Sequence, residues 1–268
     1  MYEIISDLNI INVPIMQKVI KASFVITLIL VVFGCQQSSS SSQKSESLAE
    51  IVTVRVFSSN TTDKKGGSGV LIDHQGDQYW VITNNHVVSD RNISYKIQTF
   101  DGREYLAQIL SPQSSSTKIQ KDLALLSFKA SSFIYQVLKN KSQVKMFDQE
   151  TVIAGGFPFA DNFQQSKELK LTQGKLIMVL DEPFIGGYGV GYTNLLRNGM
   201  SGGPVINKQG ELVAINGMAQ EPLLGNPYVF QNGTKISELA WEKVSQLSWG
   251  ISSKEIQIFV QQYYKKSK

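Results

Sequence analysis

Cysteine, histidine and charge are all scarce in this chain. Of its 268 residues one is cysteine and two are histidine. Cys35 by itself closes no intrachain disulfide, so packing must carry the stability. Two histidines and one cysteine cannot assemble a zinc site of the usual nitrogen and sulfur type, and no metal or other cofactor is expected. Charged side chains make up only 18% of the sequence, and the 26 basic and 22 acidic residues are dispersed along it. Without a long basic stretch to track a phosphate backbone, nucleic acid is not an expected partner. The alternation of strand and helix patterns that builds a parallel α/β sheet is missing before residue 220.

Apolar residues, by contrast, make up 42% of the chain, enough for one substantial core or two small ones. One uncharged apolar run, Ala22 to Phe33, follows Lys18 and Lys21 and precedes Gly34-Cys35. It is shorter than the roughly 20 residues that span a bilayer, and it reads as a secretory signal. Residues 1–35 are therefore taken as a signal segment with Met16 as the expected start. The folded part is expected to be exported, to the periplasm or cell envelope. Val32-Phe33-Gly34-Cys35 resembles the lipobox of bacterial lipoproteins, which implies lipidation of Cys35 and membrane attachment through it. The serine-rich 36–47 reads as a flexible tether, with folding from Leu48 onward.

From there, short β-branched runs alternate with turn residues: 51–57, 69–72, 79–83, 93–99, 105–110 and 123–128, then 151–154, 169–179, 188–192, 204–207 and 212–215. Two β lobes in tandem are expected, at about 48–140 and about 141–250. Ser252-Ser-Lys-Glu255 is a capping box, and Ile256, Phe259, Val260 and Tyr263 recur at helical spacing, so a helix is expected at 253–264. A weaker helical pattern runs from Ile236 to Leu247.

The sharpest local feature is Asn198-Gly-Met-Ser-Gly-Gly-Pro204, a serine in a turn rich in residues without a Cβ. Such a turn can aim several N–H groups at one spot, where an oxyanion would form as a serine attacks a carbonyl; a plain glycine turn between two strands is the other reading. A serine hydroxyl needs a base to become nucleophilic, and histidine suits that task. His74 lies in the hydrophilic turn Asp73-His-Gln-Gly-Asp77 and reads as an exposed bystander. His86 ends the apolar run Trp80-Val-Ile-Thr-Asn-Asn-His-Val-Val88, where the alternatives are a satisfied core histidine and a catalytic base. Asp122 opens the apolar run Asp122-Leu-Ala-Leu-Leu126 and could hold the base's tautomer. Gly199-Met-Ser-Gly-Gly203 also matches the G-x-S-x-G pattern of α/β-hydrolases, but those need a histidine after the serine and none follows Ser201.

Gly67-Ser-Gly-Val70, Thr83-Asn-Asn-His86, Asp122-Leu-Ala-Leu125 and Gly199-Met-Ser-Gly-Gly-Pro204 together resemble the four signature segments of trypsin-like serine peptidases, the bacterial ones especially. That resemblance implies an all-β fold of two antiparallel six-stranded barrels and a polypeptide substrate. It implies Ser201 as nucleophile, His86 as base and Asp122 as its orienter, with the N–H groups of Gly199 and Ser201 as oxyanion hole. Met200 stands where animal digestive peptidases carry an aspartate that pairs with a new N-terminus, so activation by that route is not expected. Leu195 and Gly217 are placed at the specificity pocket. With no acid there, a cationic side chain would be buried without a partner, and a small or apolar residue before the scissile bond is expected. Only 18 residues follow Gly250, too few for the PDZ domain of HtrA relatives. The alternative to an active endopeptidase is a trypsin-fold protein of the cell envelope that binds polypeptides without cutting them.

Overall fold

Period-two patterning with both faces apolar makes strands that are buried on both sides, and that is how this chain folds. The computed structural model describes residues 42–60, 66–111, 121–139, 144–160, 164–221 and 227–264; the signal segment and Cys35 lie outside the described residues. A helix α1 (42–52) comes first. It is followed by β1 (Thr53–Ser58), β2 (Gly66–Gln75), β3 (Gln78–Thr83), a 3-10 turn (Asn85–Val88), β4 (Tyr95–Gln98), β5 (Glu104–Ile109) and β6 (Ala124–Lys129). The second half holds β7 (Thr151–Gly156), β8 (Lys170–Phe184), β9 (Tyr188–Tyr192), β10 (Pro204–Asn207), β11 (Leu212–Met218), α2 (Glu238–Ser245), β12 (Ser248–Ser252) and α3 (Ser253–Tyr264).

The strands close into two antiparallel barrels of six, in the orders β1-β2-β3-β6-β5-β4 and β10-β11-β12-β9-β8-β7. This is the expected all-β architecture with its C-terminal helix, and closure leaves neither ring with an unpaired edge. In β6, Ala124, Leu126 and Phe128 fill the first barrel beside Val54, Val56, Leu71, Val81 and Ile97. Leu125 and the preceding Leu123 face the other way, into a seam shared with Val70 and Ile82 of the first barrel and Ile153, Ile206, Leu212 and Ile215 of the second. Ile256, Phe259 and Val260 of α3 join the same seam cluster. Each such side chain contributes about 1.5–3 kcal/mol on burial, which is how a fold without an intrachain disulfide is held.

Two elements differ from the sequence reading. The helix α1 includes 42–47, assigned above to the tether: Ser45 is buried with its Oγ donating to Asn207 O (3.0 Å), and Ala49 and Val52 enter the seam. Serine has no strong helical signal, so tertiary packing decides here. β12 carries no run of β-branched residues, yet it is buried and completes the second barrel between β11 and β9.

Candidate active site

The Thr83–His86 segment leaves β3 for the 3-10 turn under tight control. Thr83 Oγ1 donates to Ser68 O (2.6 Å), and buried Asn84 donates from Nδ2 to Asp122 O (2.9 Å). These bonds bring His86 against Asp122. The His86 backbone N–H donates to Asp122 Oδ1 (2.8 Å), and its Nδ1 lies 2.5 Å from Oδ2. The imidazole side chain is 50% exposed and the carboxylate 15%, so one end of the ring is anchored in the protein and the other faces solvent. Tyr188, at the start of β9, donates its hydroxyl to the same Oδ2. Burial opposes the Asp122 charge, but the hydrogen bonds from His86 and Tyr188 and the attraction of His86 outweigh it and hold the carboxyl below its usual range. Burial first, and then the Asp122 charge, push the Tyr188 phenol far up, so it is a donor at all physiological pH.

Ser201 sits in a turn packed against the same segment. Gly199 (φ +95°) and Gly202 (φ +85°) adopt backbone conformations natural only to glycine. A Cβ on Gly202 would overlap Ser68 O and Thr83 Oγ1. A Cβ on Gly67 would lie 2.6 Å from Val87 Cγ2 and 3.0 Å from Ser201 O, so that glycine lets the serine turn approach the residue after His86. Ser68 fixes the approach: its N–H donates to Ser201 O (2.8 Å), its Oγ donates to Gly199 O (2.8 Å), and the same Oγ accepts from the Phe157 N–H (2.8 Å). Asn216 holds the far side, donating from Nδ2 to Gly155 O (2.8 Å) and Met200 O (3.2 Å).

Within this turn the N–H groups of Met200, Gly202 and Gly203 donate to Arg197 O, Asn216 O and Met200 O. Those of Gly199 and Ser201 have no backbone acceptor among the described residues. Ser201 Oγ donates to Gly217 O (3.3 Å) and not to His86. Of the other residues singled out by sequence, Leu195 is 56% exposed and His74 stacks on Tyr79 at the β2–β3 hairpin, apart from the Asp122 cluster. Sequence reasoning missed Ser68, Asn84, Tyr188 and Asn216; Ser68 lies inside a signature segment, whereas Tyr188 carried no signal beyond its place in a strand. Among the described residues no group of three or more His, Cys, Asp or Glu side chains is placed to hold a metal ion, and no helix is long and apolar enough to cross a membrane.

A family model for a trypsin-like peptidase domain matches residues 67–215, a stretch that contains His86, Asp122 and Ser201. The serine protease Do-like HtrA of Bacillus subtilis is 30% identical over 169 residues, 60% of this chain and 35% of that protein. The periplasmic serine endoprotease DegP of Escherichia coli is 31% identical over 166 residues, 60% of this chain and 31% of that protein. The chain thus corresponds to about a third of the length of these curated relatives. The crystal structure of a serine endoprotease from Yersinia pestis matches with a TM-score of 0.60 at 20% identity, covering 84% of this chain and 67% of that one. That likeness concerns the fold.

Proposed function

Because the chain belongs to the trypsin-like peptidase family, we propose that it is a serine endopeptidase in which Ser201 is the nucleophile, His86 the general base and then acid, and Asp122 the group that orients the imidazole. The observation that carries this reading is the paired contact of Asp122 with the N–H and Nδ1 of His86, beneath a glycine turn that brings Ser201 to the same segment. With Nδ1 tied to the carboxylate, Nε2 is the nitrogen left to work. The Ser201 hydroxyl turns from Gly217 O to Nε2, and Oγ attacks the scissile carbonyl carbon as its proton passes to His86. The resulting oxyanion is received by the N–H groups of Gly199 and Ser201, which have no backbone acceptor among the described residues; losing one such donor costs about 3 kcal/mol of barrier. The C–N bond then breaks, His86 gives its proton to the departing amine, and a water deprotonated by His86 releases the acyl group and restores Ser201.

Leu195 and Gly217 are proposed to line the specificity pocket, which then favours a small or apolar side chain. The DegP relatives carry periplasmic in their names. With the signal-like run before Cys35, that supports an exported, periplasmic protein, and Cys35 is its proposed lipid anchor.

One contact favours the silent polypeptide binder: Ser201 Oγ donates to Gly217 O in place of His86. A fluorophosphonate probe separates the two. The peptidase reading expects labelling of the wild type and none of Ser201→Ala; absence of labelling across the neutral pH range overturns it and favours the binder.

A further inference from the structure

We propose that Tyr188 is a positioning residue of this site, seated in a slot between two glycines so that its hydroxyl holds the Asp122 oxygen that receives His86. The inference rests on the peptidase reading above. Asp122 is fixed at four points: its N–H donates to Gly186 O (2.8 Å), its carbonyl accepts from Asn84, Oδ1 accepts the His86 N–H, and Oδ2 is shared by His86 Nδ1 and the Tyr188 hydroxyl. Tyr188 reaches across from the second barrel to a carboxylate that opens a strand of the first. Without it, Oδ2 would answer to His86 alone.

The backbone is shaped to deliver this ring. Gly186 and Gly187 both have positive φ (+88° and +89°), and the Gly187 N–H closes the turn on Phe184 O (2.9 Å). One turn therefore supplies Asp122 with both a backbone acceptor and a hydroxyl donor. A Cβ on Gly186 would lie 2.6 Å from Tyr188 Cε2, and a Cβ on Gly217 would overlap Cε1 on the opposite edge. The ring thus occupies the space that a side chain at position 217 would take, which explains why a glycine there serves this site: it makes room for the residue that steadies Asp122.

The chemical consequence follows from charge sharing. A donor on Oδ2 disperses the carboxylate charge and stops the group from rotating. Removing it throws more of that charge onto the imidazole, so the protonated, inactive form of the pair persists to higher pH. The groups facing Asp122 are His86 and Tyr188, and those facing Tyr188 are Asp122 and Tyr192. The neighbouring Lys121 is paired with Glu255 of α3, with Lys254 close to it.

Tyr188→Phe keeps the ring in its slot and removes only the oxygen. Fluorophosphonate labelling of the full chain, followed from about pH 5 to about pH 9, is expected to slow by roughly ten-fold at neutral pH. Its acidic limb is expected to move up by about half a pH unit or more. A limb that stays in place while the rate falls equally at every pH would reduce Tyr188 to a packing role and overturn the proposal. The His86 Nδ1–H proton resonance gives a reading that needs no activity. It is expected to shift in Tyr188→Phe, and an unchanged resonance overturns the proposal even if Ser201 never labels. Failure of the wild type to label, by contrast, sinks the peptidase reading and leaves the resonance to judge Tyr188.

Discussion

Replacing Ser68 by alanine deletes one oxygen and is expected to be among the most damaging small changes in this protein. That oxygen is buried, donates to Gly199 O and accepts from the Phe157 N–H, both at 2.8 Å. Ser68→Ala removes the hydrogen-bond partner of a buried carbonyl and a buried amide at once. An unsatisfied buried group costs about 1–3 kcal/mol, so the pair should cost about 4 kcal/mol. At about 2–4 °C per kcal/mol for a domain of this size, the melting temperature should fall by on the order of 10 °C. Catalysis should suffer separately, because the Gly199 carbonyl is what holds the neighbouring peptide, and a tilt there misdirects the proposed oxyanion donors. A loss of up to about 100-fold in labelling rate is the expected scale for one donor misplaced. Thermal melts followed by circular dichroism, run beside Ser201→Ala as a control, measure the first effect; fluorophosphonate labelling of the surviving folded protein measures the second. Ser201 Oγ makes only a 3.3 Å bond, so the control should melt close to wild type. A Ser68→Ala protein that melts within about 1 °C of wild type and labels normally would refute the argument.

Asp122→Asn should lower labelling by about 10⁴-fold, because an amide facing Nδ1 favours the wrong tautomer; a loss under ten-fold would remove Asp122 from the orienting role. The same variant tests stability against pH. The folded-state carboxyl of Asp122 lies below its unfolded value, so its stabilisation is complete at neutral pH and is lost as pH falls through the carboxylate range near about 4 and below. Asp122→Asn should therefore lose less melting temperature than wild type between about pH 7 and about pH 3, and parallel curves would contradict the assignment. Leu195→Asp should introduce cleavage after Lys and Arg in a peptide-library profile, whereas an unaltered profile would place Leu195 outside the pocket.

The apolar runs carried the strands of two β lobes, and the resemblance carried their closure into barrels, because strands buried on both faces read as short apolar stretches: 123–128 contains both the barrel-facing Ala124, Leu126 and Phe128 and the seam-facing Leu123 and Leu125. Sequence alone carried α3 because a capping box and i, i+3, i+4 spacing coincide there, with the Glu255 N–H donating to Ser252 Oγ (3.3 Å). It failed at α1, where serine and glutamine tell of a tether and only the docking of Ser45 and Ala49 makes a helix. It failed at β12, because Ser-Trp-Gly-Ile-Ser lies between two helical patterns and owes its strand form to the β9 and β11 neighbours that complete its ladder. In the site, the histidine and carboxylate that meet were candidates by residue type, and the resemblance of their segments to the peptidase signatures singled them out. Tyr188 was not, since nothing local marks a strand residue as the donor to an aspartate 66 positions earlier.

The contacts that hold the site run crosswise between the barrels. Ser68, from the first barrel, fixes Gly199 and Phe157 of the second, while Tyr188 and Gly186, from the second, fix Asp122 of the first. Neither half therefore contains a complete site: the first lacks the nucleophile turn, and the second lacks the base. The seam of Val70, Ile82, Leu125, Ile153 and Ile215 sets the distance across which these bonds act. Packing at that seam and geometry at the site are consequently one property, because a shift of a few tenths of an ångström between the barrels would lengthen the Ser68 and Tyr188 bonds together. In a chain without an intrachain disulfide, this apolar interface, with α1 and α3 packed into it, holds that register together with the crosswise hydrogen bonds. Both helices contribute buried residues to the seam cluster itself, so their role is to keep the two halves of the site in step.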